Sequence, residues 1–209
     1  MPQDLPEQPE IIEQLRANRE EALAEMYQLV QERLRRVIDF RLDYRLAGRV
    51  SNSDVLQETY VRAAQRIDSY LQKPDMPFFV WLRLEANQRL QEIHRFHFGA
   101  EKRDIRREVK LKNNNQDQGN TSVQLAAHSV AQMTSASGVF QKAQQIDALE
   151  KTLSEMNDTD REVIALRHFE ELSNIETAKV LGIAPEAASK RYIRALKRLK
   201  EIMQQHAAF

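Results

Sequence analysis

The 209-residue chain contains no cysteine, only five glycines and six prolines, and no long run of apolar residues. The lack of cysteine excludes a disulfide framework, a thiolate zinc site and a cysteine nucleophile, and it fits a reducing, cytoplasmic compartment. The scarcity of glycine and proline favours helices over a many-stranded sheet. A membrane-spanning helix needs about 18 consecutive apolar residues, so none is expected. The acidic segment 1–10 has no apolar core and is not a signal peptide.

Neither sign of charge predominates over the whole chain, since 31 Lys and Arg residues balance 31 Asp and Glu residues. This balance excludes a uniformly basic coat for nucleic acid, so any contact with DNA must come from a local asymmetry. Residues 146–176 carry nine acidic and three basic side chains, whereas residues 189–200 carry six basic side chains and no acidic one. The second of these segments is therefore the strongest candidate for contact with anions.

The distribution of apolar residues predicts two small helical domains joined by a polar linker. We expect a disordered N-terminus over residues 1–10, a first domain over 11–112 and a second over 142–209. Between them, residues 113–141 are rich in Asn, Gln, Ser and Thr. Such a segment cannot bury enough apolar surface to offset the entropy lost on ordering, which indicates a flexible linker. The predicted fold class is all-α.

Within the first domain, apolar residues spaced by three and four between residues 11 and 48 indicate one amphipathic helix. Ser51 or Ser53 is a suitable N-cap for the next helix. The segment Lys73–Pro77 is a loop, because two prolines three apart cannot lie inside a helix. A further long helix is expected to begin at Phe78.

Near the C-terminus, Gly182 and Pro185 separate two helical segments. Gly182 suits the left-handed position after a helix, and Pro185 suits the first turn of the next one. A helix, a tight turn and a basic amphipathic helix form the layout of a helix-turn-helix whose second helix enters the major groove. An ordinary helical hairpin with a solvated basic face is the alternative. The predicted packing arc contains Ala188, Tyr192, Ala195, Leu196, Leu199, Ile202 and Met203, and the opposite basic arc contains Lys190, Arg191, Arg194, Lys197 and Arg198.

No set of residues in the chain has the spacing of a known catalytic or cofactor site. There is no glycine-rich phosphate loop, Ser/His/Asp set or H-E-x-x-H motif. His94 and His97 can share a helical face, but no third ligand lies nearby in the sequence, so no metal site is expected. We therefore expect a protein without enzymatic activity and without a cofactor.

The C-terminal segment Leu149–Lys200 resembles region 4 of bacterial RNA polymerase sigma factors of the sigma-70 family. The resemblance depends chiefly on the runs Asp160–Arg167 and Glu176–Ala178. The stretch Ala184–Lys190 departs from the usual start of the family's recognition helix. The class of the protein is therefore carried over from the family, but its preference for particular bases is not.

The N-terminal part resembles the same family independently. Ser53–Ala63 is similar to the polymerase-binding helix of region 2, and Phe79–Leu82 followed by Asn87 is similar to the promoter-melting helix after it. The two regions occur in the family's order, and no region 3 domain lies between them. This organisation is typical of the extracytoplasmic-function (ECF) group of the family.

The resemblance implies a transcription initiation factor that binds core RNA polymerase, directs it to the −10 and −35 elements of promoters and aids promoter melting. The implied partners are core RNA polymerase and promoter DNA, with no membrane, and an anti-sigma factor is left open. The implied polymerase contacts are Asp54, Gln57, Glu58 and Arg62. The implied −10 contacts are Phe78, Arg83, Asn87, Arg95, Lys102 and Arg103. The implied −35 contacts are Glu186, Lys190, Arg191, Arg194, Lys197 and Arg198.

The aromatic residues around the loop Ser69–Pro77 are predicted to have two different roles, in the core or in contact with DNA. We expect Trp81 and Leu82 to belong to the core, and Phe78 with the loop Ser69–Pro77 to meet a flipped base. Two alternative functions stay open from the sequence. One is a helix-turn-helix regulator that binds duplex DNA without polymerase, and the other is an interaction protein that uses its basic helix to dock on a protein.

Overall fold

The computed structural model describes residues 5–46, 48–98 and 155–207, and the regular structure within these ranges is helical throughout. The helices fall into two compact units. We call residues 5–98 the N-terminal unit and residues 155–207 the C-terminal unit. The prediction of two small all-α domains is confirmed. The predicted linker 113–141 and the domain limits at 112 and 142 lie outside the described residues.

The N-terminal unit consists of four α-helices and one short turn of 3₁₀ helix. The helices are α1 (Gln8–Ala17), α2 (Arg19–Arg41), α3 (Asn52–Gln72) and α4 (Phe78–Phe98), and the 3₁₀ turn spans Tyr44–Leu46.

Two expectations for the start of this unit were wrong. We predicted disorder over residues 1–10, but α1 begins at Gln8. We also predicted one helix from residue 11 onward, but Asn18 leaves the helical conformation, with φ of −143°, and separates α1 from α2. The side-chain amide of Asn18 donates a hydrogen bond to Glu21 in the first turn of α2. This bond joins two side chains, and the side chain of Asn18 does not cap the backbone of α2.

The borders of α3 agree with the sequence. Ser51 is the N-cap, and its hydroxyl accepts a hydrogen bond from the backbone N–H of Ser53 at 3.2 Å. The helix ends at Gln72, and the predicted loop Lys73–Pro77 leads directly into α4.

The core of the N-terminal unit forms around the beginning of α4, where five consecutive residues, Phe78–Leu82, are each at most 8% exposed. The predicted burial of Trp81 and Leu82 is confirmed. From α2, Arg33 places its guanidinium 3.8 Å from the centre of the Phe79 ring. The other helices contribute apolar residues at helical spacing, among them Ile11, Leu15, Leu23, Met26, Val30, Leu34, Ile38, Val55, Ala63 and Ile67.

The C-terminal unit consists of α5 (Asp158–Ile164), a turn of π-helix over Ala165–Phe169, α6 (Asn174–Leu181) and α7 (Pro185–Ala207). Ser173 and Glu176 form a capping box at the start of α6, which satisfies two backbone N–H groups that the helix itself leaves unbonded. Gly182 ends α6 in the left-handed conformation, with φ of +63°. The predicted turn and the two helices beside it are therefore present.

The packing face of α7 is narrower than we predicted. Ala188, Ala195 and Ile202, spaced by seven, are at most 2% exposed. In contrast, Leu196 is 40% exposed and Met203 is 51% exposed, so their predicted burial was wrong. The 23-residue α7 packs against α5 and α6, which have only 7 and 8 residues. The short helices α5 and α6 bury only a narrow stripe along α7, and Leu196 and Met203 at the edge of its apolar arc stay exposed.

We expect Gly182→Ala to lower the free energy of unfolding of the C-terminal unit by about 1 kcal/mol. In the left-handed conformation, the Cβ of an L-residue lies too close to the following carbonyl oxygen. A Cβ at this position meets no atom within 4 Å, so sterics add no further cost. Gly48→Ala is the matched control, since Gly48 also has positive φ and open space but lies in the N-terminal unit.

Trp81 is the single tryptophan of the chain. In urea titrations, its fluorescence should therefore shift with Gly48→Ala but not with Gly182→Ala, whereas circular dichroism should report both. A shift of Trp81 fluorescence in Gly182→Ala would contradict independent unfolding of the two units.

Candidate protein and nucleic-acid interfaces

A row of ion pairs joins α3 to α4. The guanidinium of Arg89 bonds both carboxylate oxygens of Glu58, with Nη2 at 3.0 Å from Oε1. Arg62 donates from Nη1 to the two oxygens of Glu92 at 2.8 and 2.9 Å. The hydrogen bond to Glu58 raises the pKa of Arg89. We call the whole set the charge ladder: Glu58, Arg62 and Arg66 of α3 with Glu85, Arg89 and Glu92 of α4.

The buried member of the charge ladder is Glu85, which is only 4% exposed. Both of its carboxylate oxygens accept hydrogen bonds from Arg66 Nη1 at 3.1 Å, and Arg62 Nε lies 3.6 Å away. Exposed ion pairs contribute little, at about 0–1 kcal/mol each. A buried carboxylate without its cation is much more costly, so Glu85 makes the register of α3 on α4 specific.

The charge ladder changes the interpretation of the predicted polymerase contacts. Glu58 and Arg62 are bonded to α4, whereas Asp54 and Gln57 are exposed. Glu58 nevertheless lies one turn from Asp54 on neighbouring parts of the helix surface, and its side chain is 45% exposed. At 100° per residue, Val61 lies on the same side as Asp54 and Gln57, and it is 52% exposed. Arg62 is thus mainly an internal contact, and Glu58 is bonded to α4 but stays half-exposed beside Asp54. Val61 belongs with Asp54 and Gln57 on the free surface.

A cleft of about 600 Å³ lies beside this free surface, between α2 and α3. At its base, the hydroxyl of Tyr27 donates to the carbonyl of Leu56 at 2.6 Å, and the ring of Tyr27 meets that of Tyr60 edge to face at 5.1 Å. Burial raises the pKa of Tyr27, so its hydroxyl stays protonated as a donor. The walls combine polar side chains with apolar ones: Gln28, Gln31, Arg35, Ser53 and Gln57 with Ala24, Leu56 and Val61. The cleft therefore offers both apolar surface and hydrogen-bonding groups to solvent.

The loop Lys73–Pro77 rests on three aromatic rings. Tyr70 stacks on Trp81 with ring centres 4.7 Å apart and planes inclined by 20°. Phe78 lies against both rings, at 6.0 Å from Tyr70 and 5.7 Å from Trp81. Phe78 is 1% exposed, so the prediction that its ring is available to a flipped base was wrong for this conformation. The Phe78 ring is buried because it packs against the rings of Tyr70 and Trp81.

The other predicted −10 residues are distributed unevenly. Arg83 is only 3% exposed, and its predicted contact with DNA is therefore wrong for this conformation. Arg95 is exposed and Asn87 is half-buried on α4. Lys102 and Arg103 lie outside the described residues. The structure therefore leaves Arg95 and Asn87 as the accessible described members of this set.

The basic arc of α7 is open to solvent. Lys190, Arg194, Lys197 and Arg198 are exposed, Arg191 is half-buried, and Glu186 is exposed in the first turn. Arg198 is 3.9 Å from Glu201, a loose pair between two well-exposed side chains. Ile193 is 65% exposed at the edge of this arc. Sequence periodicity did not identify Ile193, because it lies between the predicted polar and apolar arcs.

Among the described residues, no group of three or more His, Asp or Glu side chains is placed to hold a metal ion. The helices of the same ranges include none that is long and apolar enough to cross a membrane.

Comparisons with known proteins match both units of the chain. The family model "Sigma-70, region 4" matches residues 146–199. The chain is 29% identical over 157 residues to the RNA polymerase sigma factor CnrH of Cupriavidus metallidurans, and the alignment covers 72% of each protein. A solved structure of CnrH in complex with the cytosolic domain of CnrY has a TM-score of 0.51 with this chain at 20% identity, covering 95% of this chain and 97% of that one.

The family model covers the helix-turn-helix of α6 and α7, and the similarity to CnrH extends over most of the chain. The fold of CnrH agrees with the two helical units described above. The two sequence matches together support a sigma factor of the sigma-70 family, in its ECF group.

Proposed function

We propose that this sigma factor binds core RNA polymerase through its N-terminal unit and directs it to promoters with −10 and −35 elements. The exposed basic arc of α7, presented after the Gly182 turn within the matched region 4, is the observation that carries the proposal. Run-off transcription with purified core polymerase and a promoter library tests it directly. Transcripts that start at defined promoters only when the chain is present support it, and their absence contradicts it.

Core polymerase docks on the free surface of α3 formed by Asp54, Gln57 and Val61, next to the cleft between α2 and α3. Asp54 lies in the first turn of α3, where the helix dipole favours a negative charge without neutralising it. Glu58 and Arg62 act differently, because their charged groups are bonded to α4. They hold the promoter-facing helix α4 in register with the polymerase-facing helix α3.

We expect Asp54→Lys to weaken binding of core polymerase by tenfold or more. A basic partner surface would then meet a like charge, and repulsion at an interface costs several kcal/mol. Glu13→Lys is the matched control, because Glu13 is an exposed acid on α1 away from the cleft. Binding is measured by titration of core polymerase, and circular dichroism checks that both variants keep their helicity. Equal affinities for the two variants would move the polymerase contact away from Asp54.

The roles of Asp54 and Glu58 can be separated by a double-mutant cycle on the charge ladder. We expect Glu58→Gln and Arg89→Gln to show a coupling of about 0.2–1 kcal/mol in unfolding, the range of exposed ion pairs. If Glu58 acts only through Arg89, Glu58→Gln should not weaken polymerase binding further once Arg89→Gln is present. An additional loss in that background would mean that Glu58 touches polymerase directly.

The N-terminal unit meets the −10 element with α4 and the loop before it. Arg95 and Asn87 are accessible on α4, and the exposed side chains of the loop are Lys73 and Asp75. Because Phe78 and Arg83 are buried, this proposal assigns base capture to the outer side of the loop rather than to the rings beneath it. Lys102 and Arg103 stay proposed phosphate contacts on the basis of the family resemblance.

The C-terminal unit holds the −35 element with α7 in the major groove. Glu186, Lys190 and Arg191 lie in the first two turns, where base edges are within reach. Arg194, Lys197 and Arg198 follow and meet phosphates. Phosphate contacts position a protein on DNA and base contacts specify the sequence, so the two sets should respond differently to mutation.

We expect Lys197→Ala to weaken binding to all sequences alike and to reduce the slope of log K against log salt by about 0.9, because one released counterion is lost. Arg191→Ala should instead relax the preference for one base pair, since a good bidentate contact discriminates by about 1–3 kcal/mol. The measurement is binding of holoenzyme to matched and mutated −35 duplexes at several salt concentrations. The same uniform loss in both variants would contradict this division of α7.

The similarity to sigma factors does not favour a helix-turn-helix regulator that acts without polymerase, nor a protein that uses α7 only as a docking face. A gel shift with and without core polymerase separates these functions. CnrH has been solved in complex with the cytosolic domain of CnrY. By analogy, we propose that an anti-sigma partner binds this chain as well, and co-purification of a partner with the full chain would test this.

A further inference from the structure

We infer that Gln8, in the first turn of α1, is a positioning residue that shapes the loop Lys73–Pro77 for capture of a −10 base. The inference rests on the proposed function, which assigns the outer side of this loop to promoter DNA. Neither the motifs of the sequence nor the matched region 4 includes Gln8. Its role follows from three hydrogen bonds that converge on the far end of the loop.

The amide of Gln8 bonds both sides of the junction between the loop and α4. Its Oε1 accepts a hydrogen bond from the backbone N–H of Phe78 at 2.9 Å. Its Nε2 donates to the carbonyl of Met76 at 3.0 Å and also to the hydroxyl of Tyr70. One side chain, 62 to 70 residues away in sequence, therefore fixes a donor and an acceptor of the backbone at the end of the loop.

Tyr70 makes a second hydrogen bond to the Met76 carbonyl. Its hydroxyl donates to the same Met76 carbonyl at 3.0 Å, while it accepts from Gln8. Burial raises the pKa of Tyr70, with a further contribution from the nearby charge of Asp75, so the hydroxyl keeps the proton that it donates. The stacked ring of Trp81 holds the Tyr70 ring in place. The Met76 carbonyl is thus held by two side chains whose own positions are set by the core.

The rest of α1 and the start of α2 brace the other end of the loop. Arg16 Nη2 donates to the carbonyl of Leu71 at 3.2 Å, close to the end of α3. Arg19 Nη2 pairs with Asp68 at 2.8 Å. Together, α1 and the start of α2 therefore contact both ends of the segment from Asp68 to Phe78 and leave its middle free for a ligand.

The outer side chains of the loop are free to contact DNA because its backbone is held from within. The side chains of Lys73 and Asp75 are 84% and 49% exposed, and their charged groups are 3.8 Å apart. Pro74 and Pro77 further restrict the backbone. A pocket for an unstacked base needs such a pre-formed backbone, since ordering the loop on binding would oppose the affinity. Loss of the Gln8 bonds should therefore remove recognition of the base without removing the fold.

The test combines variants of Gln8 with abasic DNA. A promoter is first selected by run-off transcription with core polymerase and the full chain. Each −10 nucleotide of the non-template strand is then replaced in turn by an abasic site, and binding of holoenzyme to fork-junction DNA is measured. We expect the wild-type protein to lose about tenfold in affinity at one position, the value of one captured base. We expect Gln8→Ala to lose less than about twofold there, because its loop no longer holds the base.

Two further variants separate positioning from stability. Ile11→Val removes one methylene from a residue of α1 that is 2% exposed and makes no bond to the loop, so it destabilises the unit modestly and should keep the tenfold abasic penalty. Gln8→Glu keeps the acceptor for Phe78 but places a carboxylate against the Met76 carbonyl, and it should lose the penalty as Gln8→Ala does. Trp81 fluorescence and core-polymerase binding check that each variant is folded.

The outcomes distinguish the inference from the proposed function. A full tenfold abasic penalty in Gln8→Ala overturns the positioning role and leaves −10 recognition intact. An equal loss of the penalty in Ile11→Val also overturns it, because general destabilisation would then explain the result. If the wild-type protein shows no abasic penalty at any −10 position, base capture by this unit fails, and the inference fails with it.

Discussion

The burial of the first five residues of α4 is the constraint on which the N-terminal unit depends. A helix that is apolar on all sides at its start must be surrounded, and α2 and α3 pack against it. Its first N–H groups then lie away from water and need partners that the helix itself does not supply. The side-chain oxygen of Gln8 accepts from the first of them, the N–H of Phe78, at 2.9 Å. Burial of α4 thus explains why an N-terminal helix closes over the loop.

The same helix divides its length between two kinds of contact. Its beginning is held by aromatic packing, which does not depend on charge, and its middle is held by the charge ladder to α3. Because Glu85 is buried within that ladder, sliding α4 along α3 would leave a carboxylate without its cation. The proposed polymerase surface on α3 and the proposed promoter surface on α4 are therefore joined by a specific register rather than by apolar contact alone.

In the described part of the C-terminal unit, turns and caps contribute strongly to the geometry. Small residues at Ala188 and Ala195 let α7 approach its short neighbours closely, and the turn before it is set by Gly182 in the left-handed conformation. Local backbone chemistry supplies much of the shape here, through the capping box at Ser173 and the proline that begins α7. The long helix thereby presents its basic arc to solvent.

The sequence by itself determined the elements whose signals are local. The Ser51 cap, the loop with two prolines, the Gly182 turn and the basic face of α7 all follow from the chemistry of one residue and its near neighbours, and the structure has each of them. Family motifs added the class of the protein. The position of Phe78 under the loop, the burial of Arg83 and the pairing of Glu58 with Arg89 were decided only by tertiary structure. Each depends on which residue from a distant helix lies opposite, and Gln8 is the extreme case, since its partners are 62 to 70 residues away.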